Sequence, residues 1–255
     1  MVFVHGGPGM DSSYMRGPLD WLGDHFELFF YDQKPRVGDD PASVKSAAES
    51  VDELVAIVAG LPSGPDRPIH LVAHSWGTYL AIQAVKRLRQ QVATLTLISS
   101  LPLTWDQLNE SVGRFVARVE PAVADEVGAL EQVGTEDAGR TIMGLIGQFY
   151  LSPAVRDRLT LKIDRYNPFI DMQLTRSIEG YDERGDLAFA DDVPVSLIYG
   201  TDDYMQPSGT QELVKDGNQI LIPDAGHFPF TEQPEAFAAA MRRLLPIADG
   251  SPNAD

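Results

Sequence analysis

Three residue types that could act together in covalent catalysis stand along the chain as Ser75, Asp203 and His227. A serine hydroxyl is a poor nucleophile until a nearby base takes its proton, and an imidazole serves best as that base when a carboxylate orients it. Ser75 lies within His70-Leu-Val-Ala-His-Ser-Trp-Gly-Thr-Tyr-Leu-Ala81, where an apolar run stops at the serine and a helical pattern begins at once. The spacing predicts a buried strand over Ile69 to Ala73 and a helix carried on by Tyr79, Leu80, Ile82, Gln83 and Val85. A hydroxyl on so sharp a strand-to-helix turn is held up at the carboxyl edge of a sheet, and the turn requires small residues two before and two after it. Ala73 and Gly77 meet that requirement. His227 follows a predicted strand at Gln219 to Ile222, and Asp203 follows one at Val193 to Tyr199, with Asp202 beside it as a rival acid.

A second landmark is His5-Gly-Gly-Pro-Gly9, directly after the short apolar run Val2-Phe-Val4. Adjacent glycines leave backbone N–H groups free to face a ligand while Pro8 stiffens the loop, which suits a preorganised donor for developing negative charge.

The elements that must position these groups alternate. Glu27 to Asp32 reads as a strand and Pro41 to Leu61 as a helix capped by Ser43, with apolar residues at Val44, Ala47, Ala48, Val51, Leu54, Val55 and Val58. The serine strand and helix follow, then a strand at Val92 to Ser99. Such alternation implies a mostly parallel, doubly wound sheet with helices on both faces. From Leu101 to about Ala190 the pattern is helical throughout, predicting an inserted helical cap at 101–190 on a core formed by 1–100 and 191–255. Its predicted helices run over Thr104 to Glu120, Ala122 to Val133, Glu136 to Tyr150, Pro153 to Tyr166 and Pro168 to Gly180. A closing amphipathic helix ends near Leu245, and Ala248 to Asp255 reads as a frayed tail.

A chain of 255 residues with 44% hydrophobic content fits one elaborated globular domain. No apolar run approaches the roughly 20 residues that cross a bilayer, and no basic segment precedes the first apolar residues, so a soluble, cytoplasmic protein without a membrane partner is expected. The absence of cysteine removes disulfides and thiolate chemistry. A net charge of −17 argues against nucleic acid as a partner. The other histidines have structural roles: His5 pins its own loop by hydrogen bonding, His74 fills the variable position of the serine turn, and His25 and His70 belong to the scaffold. None shows metal-ligand spacing, so no metal or cofactor is expected.

The order Ser, Asp, His, with a glycine loop after the first strand, resembles the α/β-hydrolase fold. More narrowly, His5-Gly-Gly-Pro-Gly9, Tyr31-Asp-Gln33, Ser75-Trp-Gly77 and Gly226-His227 resemble the proline iminopeptidase branch. That resemblance implies Ser75 as nucleophile, His227 as base and Asp203 as orienting acid, with the backbone N–H groups of Gly7 and Trp76 as oxyanion hole. In that family the acid stands three residues after a strand-ending glycine and four before a proline; Gly200 and Pro207 therefore select Asp203 over Asp202. The sequence departs from the family at Lys34-Pro-Arg-Val-Gly-Asp39. It also carries no glutamate in Asn167 to Arg176, the stretch comparable to the one where the family's aminopeptidases hold a substrate amine; Glu179 is a loose substitute, and Glu110, Glu120, Glu131 and Asp171 are the other cap carboxylates that could serve as a relocated partner. The family's leading hairpin is either missing or was never part of this protein. The resemblance implies a serine hydrolase acting through an acyl-enzyme on a small ester, amide or lactone, with a small molecule or short peptide as partner. An aminopeptidase and a non-hydrolytic cyclase, acyl transferase or lyase are the alternatives, and a binding protein has no physical need for all three side chains.

Overall fold

The computed structural model describes residues 1–36, 39, 43, 46–206, 208–214 and 217–247. Pro41, Val44, Pro207 and the tail from Ala248 lie outside them. Six strands, β1 (Val2–Val4), β2 (Phe29–Phe30), β3 (Ile69–His74), β4 (Val92–Ile98), β5 (Val195–Gly200) and β6 (Gln219–Ile222), form one sheet in the order β2-β1-β3-β4-β5-β6. Every pairing is parallel, with Val4 opposite Ala73, Ala73 opposite Leu97 and Leu97 opposite Leu197. All carboxyl ends therefore lie on one edge, which is where His5, Ser75, Ser99, Thr201 and Pro223 leave their strands.

Alternation along each strand sorts the core into two layers. Phe3, Val72, Ile98, Ile198 and Ile222 face Met15, Leu19 and Leu22 from two 3-10 segments and Phe237 and Met241 from α9 (Pro234–Leu244). Val4, Leu71, Leu95, Leu97 and Leu197 face Leu54 and Val58 of α1 (Ala47–Gly60) and Leu80 and Val85 of α2 (Trp76–Leu88). Each fully buried Leu, Ile or Phe is worth about 1.5–3 kcal/mol relative to exposure, so both faces bind their helices firmly.

Between β4 and β5 the chain forms α3 (Trp105–Val116), α4 (Pro121–Val133), α5 (Glu136–Tyr150), α6 (Pro168–Arg176) and the short α7 (Phe189–Asp192). Thr104, Thr135 and Asn167 cap α3, α5 and α6 with side-chain oxygens. The helix expected over Pro153 to Tyr166 does not form. The chain turns after Ser152, with Val155 and Arg156 both donating to the Ser152 carbonyl, and then runs extended to a bridge between Tyr166 and Met10. Asn167 N–H donates to Gly9 O at 2.8 Å, and these contacts with the glycine loop override the local helical pattern. α1 starts at Ala47 with Ser46 rather than Ser43 at its cap and β2 keeps only two residues of the longer expected strand, while the closing helix forms as α9, preceded by the short α8 (Pro229–Glu232).

The serine turn is possible because α2 presses directly on the end of β1. A Cβ on Gly77 would stand 2.3 Å from Val4 O and 2.5 Å from His5 O. Gly77→Ala is expected to melt several degrees below wild type or fail to fold, measured by circular dichroism; an unchanged melting temperature would contradict this packing.

Candidate active site

Ser75 occupies φ 52 and ψ −125, a strained backbone for a residue with a side chain. It is held from both sides: its N–H donates to Ile98 O at 3.0 Å, while α2 begins at the next residue. The strain lifts Oγ towards His227, whose Nε2 lies 2.9 Å away, and His227 Nδ1 lies 3.0 Å from Asp203 Oδ1. Asp203 and His227 are both buried. Burial pushes the Asp203 carboxyl up, but the adjacent His227, with its hydrogen bond, and the Met205 N–H at 3.0 Å hold it below its usual value. An ionised Asp203 only accepts, so His227 donates from Nδ1 and leaves the Nε2 lone pair for the Ser75 hydroxyl. Asp202 points elsewhere: its carboxylate accepts from Ser152 Oγ, and its carbonyl accepts from Arg118.

The glycine loop is fastened at several points. His5 Nδ1 donates to Gly6 O, its Nε2 accepts from Gln33 N–H, and Gln33 Nε2 donates back to His5 O. Asp32 accepts from Ser12 N and Oγ, giving Asp32 and Gln33 a common role in holding this loop. Gly7 sits at φ 121, which favours glycine, and lines the pocket with Ser75 and His227. Trp76 opens α2, where its N–H has no intrahelical acceptor. Among the described residues, neither of these two N–H groups is engaged by a loop or side-chain acceptor.

The pocket holds a free volume of about 40 Å³, room for a few water molecules, so it is closed down around the Ser75 hydroxyl. Its walls include Met10, Tyr150, Tyr166, Tyr204 and Phe228, and also Asp171 from α6. Asp171 accepts from Tyr166 Oη at 2.7 Å and from Thr175 Oγ1 at 3.0 Å, and no basic group is paired with it among the described residues. Burial raises its pKa to about 6 against the pull of those two hydroxyls. The stretch that lacks a glutamate thus brings an aspartate to the pocket, whereas Glu179 is exposed and does not line it.

A model of the alpha/beta hydrolase family matches residues 1–240. The chain belongs to this family. Among curated relatives, "Probable oxidoreductase EphD" of Mycobacterium tuberculosis is 25% identical over 98% of this chain, and the chain spans 46% of that relative's length. "Pimeloyl-[acyl-carrier protein] methyl ester esterase" of Nitrosomonas europaea is 24% identical over 96% of this chain and 94% of its own length. Among solved structures, a thermophilic esterase from Thermogutta terrifontis superposes with a TM-score of 0.66 at 20% identity, covering 95% of this chain and 87% of its own. Proline iminopeptidase from Mycobacterium smegmatis gives 0.64 at 20% identity with the same coverages. At these identities the structures show the α/β-hydrolase fold and leave the proline iminopeptidase branch as a resemblance of motifs.

This alpha/beta hydrolase also uses residues that sequence reasoning passed over. Glu232 is buried, accepting from Ser152 N–H, Gly226 N–H and Phe228 N–H at 2.7, 2.8 and 2.9 Å, and so clamps the backbone on both sides of His227. Its signal was a glutamate five residues after a histidine in an otherwise apolar run. Tyr14 joins the loop to His74, and nothing near it in sequence marked it. Asp171 gives a measurable signature. Its folded pKa lies above the unfolded value of about 3.8, so its contribution to stability is present at low pH and lost as pH rises through about 6. Asp171→Asn is expected to be more stable than wild type by on the order of 2 kcal/mol at pH 8, a shift of a few degrees, with the difference vanishing towards pH 4. Thermal melts at the two pH values check this, and equal melting at pH 8 would count against it.

Proposed function

We propose that this protein is a serine hydrolase that works through an acyl-enzyme on a small ester, amide or lactone, with residues 101–190 as a cap over the site. The carrying observation is the buried chain of contacts from Ser75 Oγ to His227 Nε2 and from His227 Nδ1 to Asp203, at 2.9 and 3.0 Å. In this reading Ser75 Oγ attacks the acyl carbon as its proton passes to His227 Nε2. The charge forming on the carbonyl oxygen falls to the N–H groups of Gly7 and Trp76, the latter at the positive end of α2. Collapse of that intermediate breaks the bond to the leaving group, which takes the proton from Nε2. Water then repeats the sequence, giving its proton to His227 and its oxygen to the acyl carbon, and Ser75 recovers its hydrogen. Asp203 stays ionised throughout and holds the imidazole in the tautomer that the cycle needs. The full-length match to a methyl ester esterase supports an ester as substrate.

Asp171 favours a second reading within the same chemistry, an aminopeptidase. A carboxylate in an aromatic pocket with no basic partner suits a cationic amine, which on losing water needs a fixed opposite charge.

Two measurements test the shared chemistry, and a third separates the readings. A fluorophosphonate should modify Ser75 alone, mapped by mass spectrometry, and Asp203→Asn should lower turnover by about 10³–10⁴ while Asp202→Asn costs far less. Labelling elsewhere, or the reverse ranking of the two aspartates, would remove the assignment. The ratio of turnover on a free prolyl naphthylamide to that on a neutral ester of similar size decides the substrate. Preference for the ester is expected; a strong preference for the amine that disappears in Asp171→Asn would establish the aminopeptidase instead.

A further inference from the structure

Three segments must keep fixed distances for the proposed chemistry: the glycine loop, the serine turn and the His227 loop. They meet at His74, which is buried directly before Ser75. His74 Nε2 lies 2.8 Å from His227 O, and its Nδ1 lies 2.8 Å from Tyr14 Oη, which in turn accepts from Gly6 N–H at 2.5 Å. The direction of every bond in this chain is determined. A carbonyl oxygen only accepts, so Nε2 carries the hydrogen and donates to His227 O. Burial, and next the neighbouring His227, lower the His74 pKa to about 3, so the ring is neutral and Nδ1 is an acceptor. Tyr14 must then donate its hydroxyl hydrogen to Nδ1, leaving its oxygen to take the Gly6 N–H. Burial also keeps that hydroxyl protonated, pushing its pKa far up.

We infer that Tyr14 and His74 form a one-way hydrogen-bond relay that positions the Gly7 donor and the His227 base on either side of Ser75. The inference rests on the hydrolase reading. Gly6 adjoins the proposed oxyanion donor, His74 adjoins the nucleophile, and the third anchor is the backbone carbonyl of the base itself. Neither residue touches the reacting atoms; both act through the loops they hold. Phe228 and Phe230 pack at 5.0 and 5.1 Å from the His74 ring and fix the orientation of the imidazole. Loss of the Tyr14 hydroxyl leaves Gly6 N–H and His74 Nδ1 without partners and frees the loop to shift. Displacements of about 1 Å at a reacting centre cost on the order of 10² in rate, and loss of one oxyanion donor costs about 10²–10³.

The test compares Tyr14→Phe, His74→Phe and His74→Gln with wild type on a p-nitrophenyl ester. Both phenylalanine variants keep an aromatic ring in place, and the relay predicts a 10- to 100-fold lower kcat with KM within about threefold. Gln offers one acceptor and one donor and should recover part of the loss, whereas a space-filling role would rank Phe above Gln at position 74. Wild-type kcat in both phenylalanine variants, or Phe outperforming Gln, overturns the relay. Ser75→Ala in the same assay tests the hydrolase reading separately, since undiminished turnover there would sink that reading. A spectroscopic arm is independent of turnover: ¹⁵N-detected imidazole spectra should assign His74 the Nε2–H tautomer, unchanged from pH 8 to pH 5. A His74 ring that carries its hydrogen on Nδ1, or that titrates in this range, would overturn the relay whatever the kinetics.

Discussion

The backbone of Ser75 is the constraint on which the rest of the site depends. Holding a residue with a side chain at φ 52 costs roughly 1–3 kcal/mol, and the conformation persists only where the surroundings over-determine it. Here the Ser75 N–H is taken by Ile98 O on one side, and α2 is pressed on β1 through Gly77 on the other. The parallel register of β1, β3 and β4 sets both contacts, so the direction of one hydroxyl is a property of the whole sheet. Gly200 and Gly226 repeat the device at the loops that carry Asp203 and His227. A Cβ on Gly200 would stand 2.1 Å from Ala225 O, and one on Gly226 would stand 2.4 Å from Tyr150 O.

Three carboxylates near the site share burial and differ in what surrounds them. Asp203 faces His227 and a backbone N–H, and its pKa falls. Glu232 meets three N–H groups, yet burial outweighs them and its pKa rises. Asp171 meets only two hydroxyls, and its pKa rises to about 6. What sets the direction at each is the balance between desolvation, which favours the neutral acid, and the donors and positive charge around it, which favour the carboxylate.

What the sequence made legible follows from how local each signal is. The Ser75 turn was readable because small residues at Ala73 and Gly77 and the change of hydrophobic period all fall within a dozen positions. Asp203 and His227 were readable from the strands ahead of them and from family resemblance. The doubly wound parallel sheet came from alternation. Tyr14 and Glu232 were not readable as site residues, because each is defined by partners 60 and 80 positions away that only the fold brings together, whereas Asp171 was among the cap carboxylates open to a substrate amine and only its place in the pocket needed the fold. The failed helix over Pro153 to Tyr166 has the same origin: Tyr166 and Asn167 bind the glycine loop through the backbone, and backbone contacts leave little trace in residue type.

Those backbone contacts also decide which parts of the segment 101–190 are tied to the site and which are not. His227 N–H donates to Tyr150 O, Glu232 joins Ser152 N–H to the His227 loop, and Asn167 N–H donates to Gly9 O. The His227 loop and the glycine loop are therefore both anchored to the stretch between the end of α5 and the start of α6. Main-chain anchors tolerate many side chains, so residues there can change as long as the path of the chain does not. α4, none of whose residues is fully buried, carries no such anchor and is free to vary in sequence. Of the side chains facing the pocket, Tyr150 and Tyr166 project from the anchored stretch itself and Asp171 from the first turn of α6 beyond it. Single side-chain replacements at those positions would thus change the lining of the pocket without moving Ser75, His227 or the glycine loop.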